Sequence, residues 1–233
     1  MTPCASPTRV RRMSNDRLSG LALIAGSIGM IITMALHPSG HIPAADMAPM
    51  IRKIIAVHGL ALACLPILFL GALGLSRRIA CDNHLALIAV VIYAFGLFAI
   101  MNAGVANGLV FPVLLRRIAD SAGSPQAIEA WQMIARYNFY VNQAYAQVFV
   151  AASSVAVFLW SASIWRSREL SRGLGIYGCL LGPVTLGALF SGHLSLDAHG
   201  FGIVVLGQAI WFMVAGKLLW RLQELPLPAA ALR

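Results

Sequence analysis

Charge is what this sequence has least of. Only 11% of its 233 residues are Asp, Glu, Lys or Arg, against 59% hydrophobic residues, where an ordinary soluble domain carries about 25% charged residues. A chain so composed cannot cover a water-facing surface, and a mean hydropathy of +0.80 makes lipid its natural solvent. Acids are scarcer than bases, 8 against 17, for a formal net charge of +9. In a soluble protein that balance suggests nucleic acid. Here the bases flank long apolar runs and lack the interleaved aromatics of a nucleic-acid groove, so no nucleic-acid partner is expected. Cysteine is sparse too. Cys4, Cys64, Cys81 and Cys179 show no CxxC or zinc-knuckle spacing, so neither a thiolate metal site nor a disulfide is expected. GxSxG, Walker, Rossmann and HExxH signatures are missing in usable context, which argues against a soluble-type hydrolase or nucleotide-binding enzyme.

What the chain has in quantity is apolar runs of membrane length. A helical span needs about 20 apolar residues, and six runs qualify: 18–36, 54–75, 84–110, 140–164, 174–190 and 200–219. The expected fold is all-α, a polytopic six-transmembrane-helix bundle over residues 18–221. A basic cytoplasmic tail, 1–17, precedes it and a cytoplasmic tail, 222–233, follows. The first run exceeds the roughly 7–15 residues of a signal-peptide core, so it is expected to be a retained helix. Pro112 is expected to close the third span, because its ring removes a donor and clashes with the preceding turn. Ser124 and Pro125 read as the N-cap and first residue of a short amphipathic helix, 126–136, lying on the membrane surface.

The bases orient the bundle. With the N-terminus inside, twelve of them, among them Arg9, Arg77, Arg166 and Arg221, are cytoplasmic. Five face outward: Arg52, Lys53, Arg116, Arg117 and Arg136. That is the asymmetry of the positive-inside rule, and an even number of spans returns the C-terminus to the same side. Trp160, Trp165 and Trp220 are expected at the cytoplasmic interface. Gly104 with Gly108, and Gly178 with Gly182, have the small-xxx-small spacing of close helix contacts.

On this topology His84 is cytoplasmic, whereas His37, His41, His58, His193 and His199 fall near the outer face, with Asp46 and Asp197 close by in sequence. The first and third hairpins also echo each other. Ser39-Gly40-His41 and His58-Gly59 recur as Ser191-Gly192-His193 and His199-Gly200. Counting back from these tripeptides, Thr33 meets Thr185 and Gly26 meets Gly178. Residues 85–89 repeat the LALIA of residues 21–25. Three repeated helical hairpins are therefore expected, as a parallel repeat, with chance similarity of apolar helices as the alternative.

Neutral imidazole binds zinc, copper or haem iron, and a nearby carboxylate can ligate or orient it. The expected metal-ligating set is His37, His41, His58, His193, Asp197 and His199. His58 and His199 are the expected axial pair if the cofactor is haem instead of copper or zinc. Met34, Met47, Met50 and Met101 lie at similar depth and would favour copper, although methionine is more often packing. Asn102, Asn138, Asn142 and Tyr145 are expected to line an outward cavity, since polar groups at membrane depth turn inward or face water.

The role expected from these residues is an outward, periplasm-facing, histidine-lined site for a metal ion or haem, used in redox chemistry or metal handling. Two other classes stay open: a small-solute or proton-linked transporter or channel, and a structural or assembly subunit whose histidines merely cap helix ends. The expected partners are the lipid bilayer and other membrane subunits or further copies of the chain. The expected location is a bacterial inner (cytoplasmic) membrane, crossed several times, with an organelle membrane as the alternative.

Overall fold

The computed structural model describes residues 9–38, 47–80, 84–121, 123–168 and 170–221, with side chains from Asn15 onward. His41, Asp46, Cys4 and Cys81 lie outside the described residues, as do most of the two tails. Among the described residues seven α-helices follow in order: α1 (Arg9–Leu36), α2 (Met47–Ile79), α3 (Leu85–Val105), α4 (Phe111–Asp120), α5 (Pro125–Ser167), α6 (Arg172–Phe190) and α7 (Ala198–Arg221). A single π-helical turn, Ala106–Val110, joins α3 to α4. There are no strands among the described residues. Six helices are long and apolar enough to cross a membrane, because α3, the π turn and α4 run on as one rod, Leu85–Asp120.

Lipid contains no water to satisfy a backbone amide, so each crossing closes its own hydrogen bonds as a helix. Packing then sorts the helices. α1 lies along both α2 and α7, and α5 lies along both α3 and α6. α6 touches its sequence neighbour α7 only sparingly, unlike the close α1–α2 hairpin. Both glycine pairs face a neighbour: a Cβ on Gly104 would meet Leu62 of α2, and one on Gly182 would meet Ser154 and Phe158 of α5.

The rods differ greatly in length. α5 has 43 residues, roughly 65 Å at about 1.5 Å per residue, against a hydrocarbon core of about 30 Å. The segment expected as a separate surface helix, 126–136, is the first three turns of this single rod. The Ser124 cap is as expected, its hydroxyl accepting the Ala127 N–H at 3.4 Å. Pro112 does not end the third helix. The π turn sits over the residues that its missing N–H and its ring would disrupt, and α4 resumes with Pro112 in its first turn.

The core is aromatic in the half of the bundle nearer Arg77, Arg166 and Arg221, which we term the arginine end. Trp160 stacks on Trp211 with ring centres 5.8 Å apart, and Tyr93 and Phe212 close around them. Trp160 is therefore a core residue, packed between helices. It is fully buried, and its indole N–H donates to Ser76 Oγ at 2.7 Å, the partner a buried indole requires. Trp165 is half exposed, and Trp220 lies under the Arg17 guanidinium at 4.4 Å. Gln208 donates to Ser153 at 2.9 Å, so this core carries polar links that hydropathy does not register.

Candidate functional site

At the other end, the histidine end, the helices splay around a cavity of about 480 Å³, within the roughly 300–1,000 Å³ of small-molecule sites. A second chamber of about 240 Å³ adjoins it toward the α4–α5 hairpin. The two chambers share His37, Pro38, His58, Asn107 and Phe139, so the histidines stand at the boundary between them.

Helical periodicity builds the walls. α2 presents Ile54, Val57, His58, Ala61, Leu62 and Leu65, and α1 presents Met30, Thr33, Met34 and then His37 just past its end. These are the i, i+3, i+4, i+7 stripes of single helix faces. His58 is 9% exposed. It reaches its place because the π turn offers glycine opposite: a Cβ on Gly108 would overlap the Cβ of His58. The π turn that holds Gly108 has its Ala106 carbonyl capped by the Asn138 amide at 3.4 Å. Gln143 of α5 donates to the Leu196 carbonyl at 3.2 Å and so pins the 193–197 loop beside the cavity.

The His37 and His58 rings meet with centres 5.3 Å apart and planes at 63°. His58 Nδ1 lies 2.9 Å from the Ile54 carbonyl. A carbonyl only accepts, so Nδ1 carries a proton, and in the neutral ring that leaves the lone pair on Nε2. His37 Nδ1 is buried and makes no hydrogen bond among the described residues. Burial depresses the pKa of His37, partly offset by the Pro38 backbone, with Lys53 adding a smaller repulsion.

Of the expected site residues, His37, His58, Asp197, His199 and Asn142 line the larger chamber, and Asn138 lines the smaller one. The Asp197 carboxylate is already engaged as the cap of α7. One oxygen accepts the backbone N–H groups of His199 (3.0 Å) and Gly200 (2.8 Å), and the other accepts the Ser195 hydroxyl (3.1 Å). Those bonds hold its pKa below the usual carboxylate value, the Gly200 bond most of all.

Others fall elsewhere. His193 is exposed on a turn, 2.8 Å from Ser191 Oγ, and lines neither chamber. Asn102 bonds back to the Phe98 carbonyl of its own helix at 2.8 Å. Tyr145 also lines neither chamber. The α5 wall is the stripe Phe139, Asn142, Gln143 and Ala146, one helical position round from the stripe that carries Tyr145. Asn107 and Gln143, which belong to the polar zone expected in this half of the bundle, line the chamber too, and Phe139 and Met30 join it without having been expected there. The spacing of Asn138 and Asn142 marks the right side of α5, but only the neighbours decide which stripe faces the cavity.

Among the described residues, no three His, Cys, Asp or Glu side chains gather to hold a metal ion. The expected six-residue metal set therefore does not converge as a single centre within them; His41 lies outside them. What the arrangement offers is a mostly apolar chamber with a pair of touching imidazoles at its waist. The chain matches no family model, no curated protein and no solved structure.

Proposed function

We propose that this chain is a multi-pass membrane protein that binds one small ligand in the histidine-end cavity, with the His37–His58 pair as the ligand-directed group. The observation that carries this reading is the contact of those two rings on the wall of a chamber of about 480 Å³. An apolar pocket with few convergent polar groups is the form that ligand sites take. The packed Tyr93, Trp160, Trp211 and Phe212 beyond it favour a chamber closed at that end over a through-path for a solute.

The base distribution orients the cavity away from the cytoplasm, with both termini inside, in a bacterial inner membrane. The hairpin echo belongs to the same proposal: α1–α2 and α6–α7 are copies, and both send histidines to one cavity, His37 and His58 from the first and His199 from the other. A bound haem would use His58 with His199, which line the same chamber.

The test is native mass spectrometry of protein purified from membranes in mild detergent, with absorption spectra and elemental analysis alongside. The expected result is a retained or added non-covalent species that raises the melting temperature. Ala61→Phe, which puts a bulky ring into the larger chamber, should weaken its binding. Identical behaviour of wild type, Ala61→Phe and His58→Gln across haem, metal and lipid-extract panels would overturn the reading.

A further inference from the structure

On the footing that the cavity is a binding site, we propose that its ligand is the monovalent soft ion Cu(I), held by His37, His58 and Met34. Met30, Met34 and His37 follow one another at i, i+4, i+7 along α1, and all three line the larger chamber. The His37 N–H donates to the Met34 carbonyl at 3.2 Å, a tight turn that ties the residue just past the end of α1 back to the helix. His58 faces this stripe from α2. Two imidazoles sharing one three- or four-coordinate ion at roughly 2.0–2.1 Å place their ring centres roughly 5–5.5 Å apart. The His37–His58 spacing of 5.3 Å falls in that range.

The surroundings of His58 match a ligand imidazole. Its Nδ1–H is held by the Ile54 carbonyl, and metal-bound histidines nearly always donate their second N–H in this way, which fixes the tautomer and raises the basicity of the ligating nitrogen. Met50 lines the adjoining chamber beside both histidines and extends the thioether surface along the approach.

The donor set then selects the ion. Asp197 is the acid that lines the cavity, and its oxygens are committed to His199, Gly200 and Ser195. Calcium, magnesium and manganese require oxygen donors, chiefly carboxylate, and are disfavoured. Neutral nitrogen and sulfur donors leave the full ionic charge uncompensated in a poorly polarisable cavity, and that cost rises with the square of the charge. A monovalent ion is therefore favoured over zinc. Thioether with imidazole is the combination that prefers Cu(I), which tolerates two or three ligands. A third donor from methionine is consistent with no group of three His, Cys, Asp or Glu gathering among the described residues.

The experiment is anaerobic titration of the purified full chain with Cu(I) delivered from bicinchoninate, followed by X-ray absorption of the loaded protein. One Cu(I) per chain is expected, with sulfur in its scattering shell. His58→Gln and His37→Gln should each weaken it by more than about 100-fold, since outer-shell partners alone are worth roughly 10–100-fold. Met34→Leu keeps the volume and should remove the sulfur signal, an effect that a packing role would not produce. Thermal unfolding of each variant checks that it is folded. Absence of Cu(I) binding by the wild type overturns the inference, and so does a shell unchanged by Met34→Leu. If Cu(I) fails while binding of another species is still weakened by Ala61→Phe, the ion is wrong and the binding cavity stands.

Discussion

Gly108 does for the site what no polar residue does, because it lets the π turn lie against His58. Gly108→Ala should force α3 away from α2. The expected cost is about 1–3 kcal/mol, the usual penalty of overpacking, read by denaturant unfolding in detergent, together with loss of the bound species. Gly59→Ala is the matched control. Its Cβ would meet nothing within 4 Å, so stability should hold or rise by up to about 1 kcal/mol from helix propensity. Equal destabilisation by both would show that the close approach at Gly108 is unimportant.

His37 should leave a pH signature. Its folded pKa lies below its ordinary value, chiefly through burial. As pH falls through about 6.5 the unfolded chain takes up a proton that the folded chain refuses, so stability is present above that pH and declines below it. The melting temperature should drop on the acid side of about 6.5, and His37→Asn should flatten that limb. Asp197, whose pKa is also depressed, has the opposite charge logic. Its contribution is present above the carboxylate value of about 4 and is lost below it, so the two limbs separate on the pH axis. An unchanged acid limb in His37→Asn would sink the assignment.

At the scale of elements, α5 departs most from what its residues suggest. Its polar stretch, 136–147, reads like the border between a surface helix and a span. The stretch is helical throughout because its amides find partners on other elements, Asn138 on the π turn and Gln143 on the 193–197 loop. Such partners are invisible to periodicity. A rod of this length, against a hydrocarbon core of about 30 Å, should carry the α4–α5 hairpin clear of the bilayer. Cysteines placed at Glu129, Met133 and Ile134 should all react quickly with a membrane-impermeant maleimide. Val148, 51% exposed against Met133's 67%, faces lipid and should stay unreactive as Val148→Cys. Protection confined to Ile134→Cys would instead mean a helix lying flat on the membrane.

At the scale of the whole molecule, the arginine end and the histidine end should lie on opposite sides of the membrane. In intact cells the impermeant maleimide should label Ser191→Cys, whereas Arg77→Cys and Arg166→Cys should react only after permeabilisation. The reverse pattern would invert the orientation and turn the cavity toward the cytoplasm. Each end also has its own construction. The arginine end is filled by stacked indoles whose N–H groups find serines. The histidine end is left open, because α3 and α5 continue upward while α6 stops at Phe190.

The sequence by itself determined the membrane-spanning helices and their number. Backbone groups in lipid must be satisfied within the segment, and that demand is written in runs of apolar residues. It also placed His37, His58, His199, Asn138 and Asn142 at a common end of the bundle, since depth follows from counting along a helix. Rotation does not follow from counting. Which stripe of α5 faces inward, why Tyr145 and Asn102 miss the cavity, and why Trp160 turns into the core were decided by helix contacts. In lipid, apolarity no longer distinguishes inside from outside, so small residues and cross-helix hydrogen bonds set the rotation of each rod. The histidines thus shared an end by sequence, but His37 and His58 meet only because α1, α2 and the Gly108 turn close on one another.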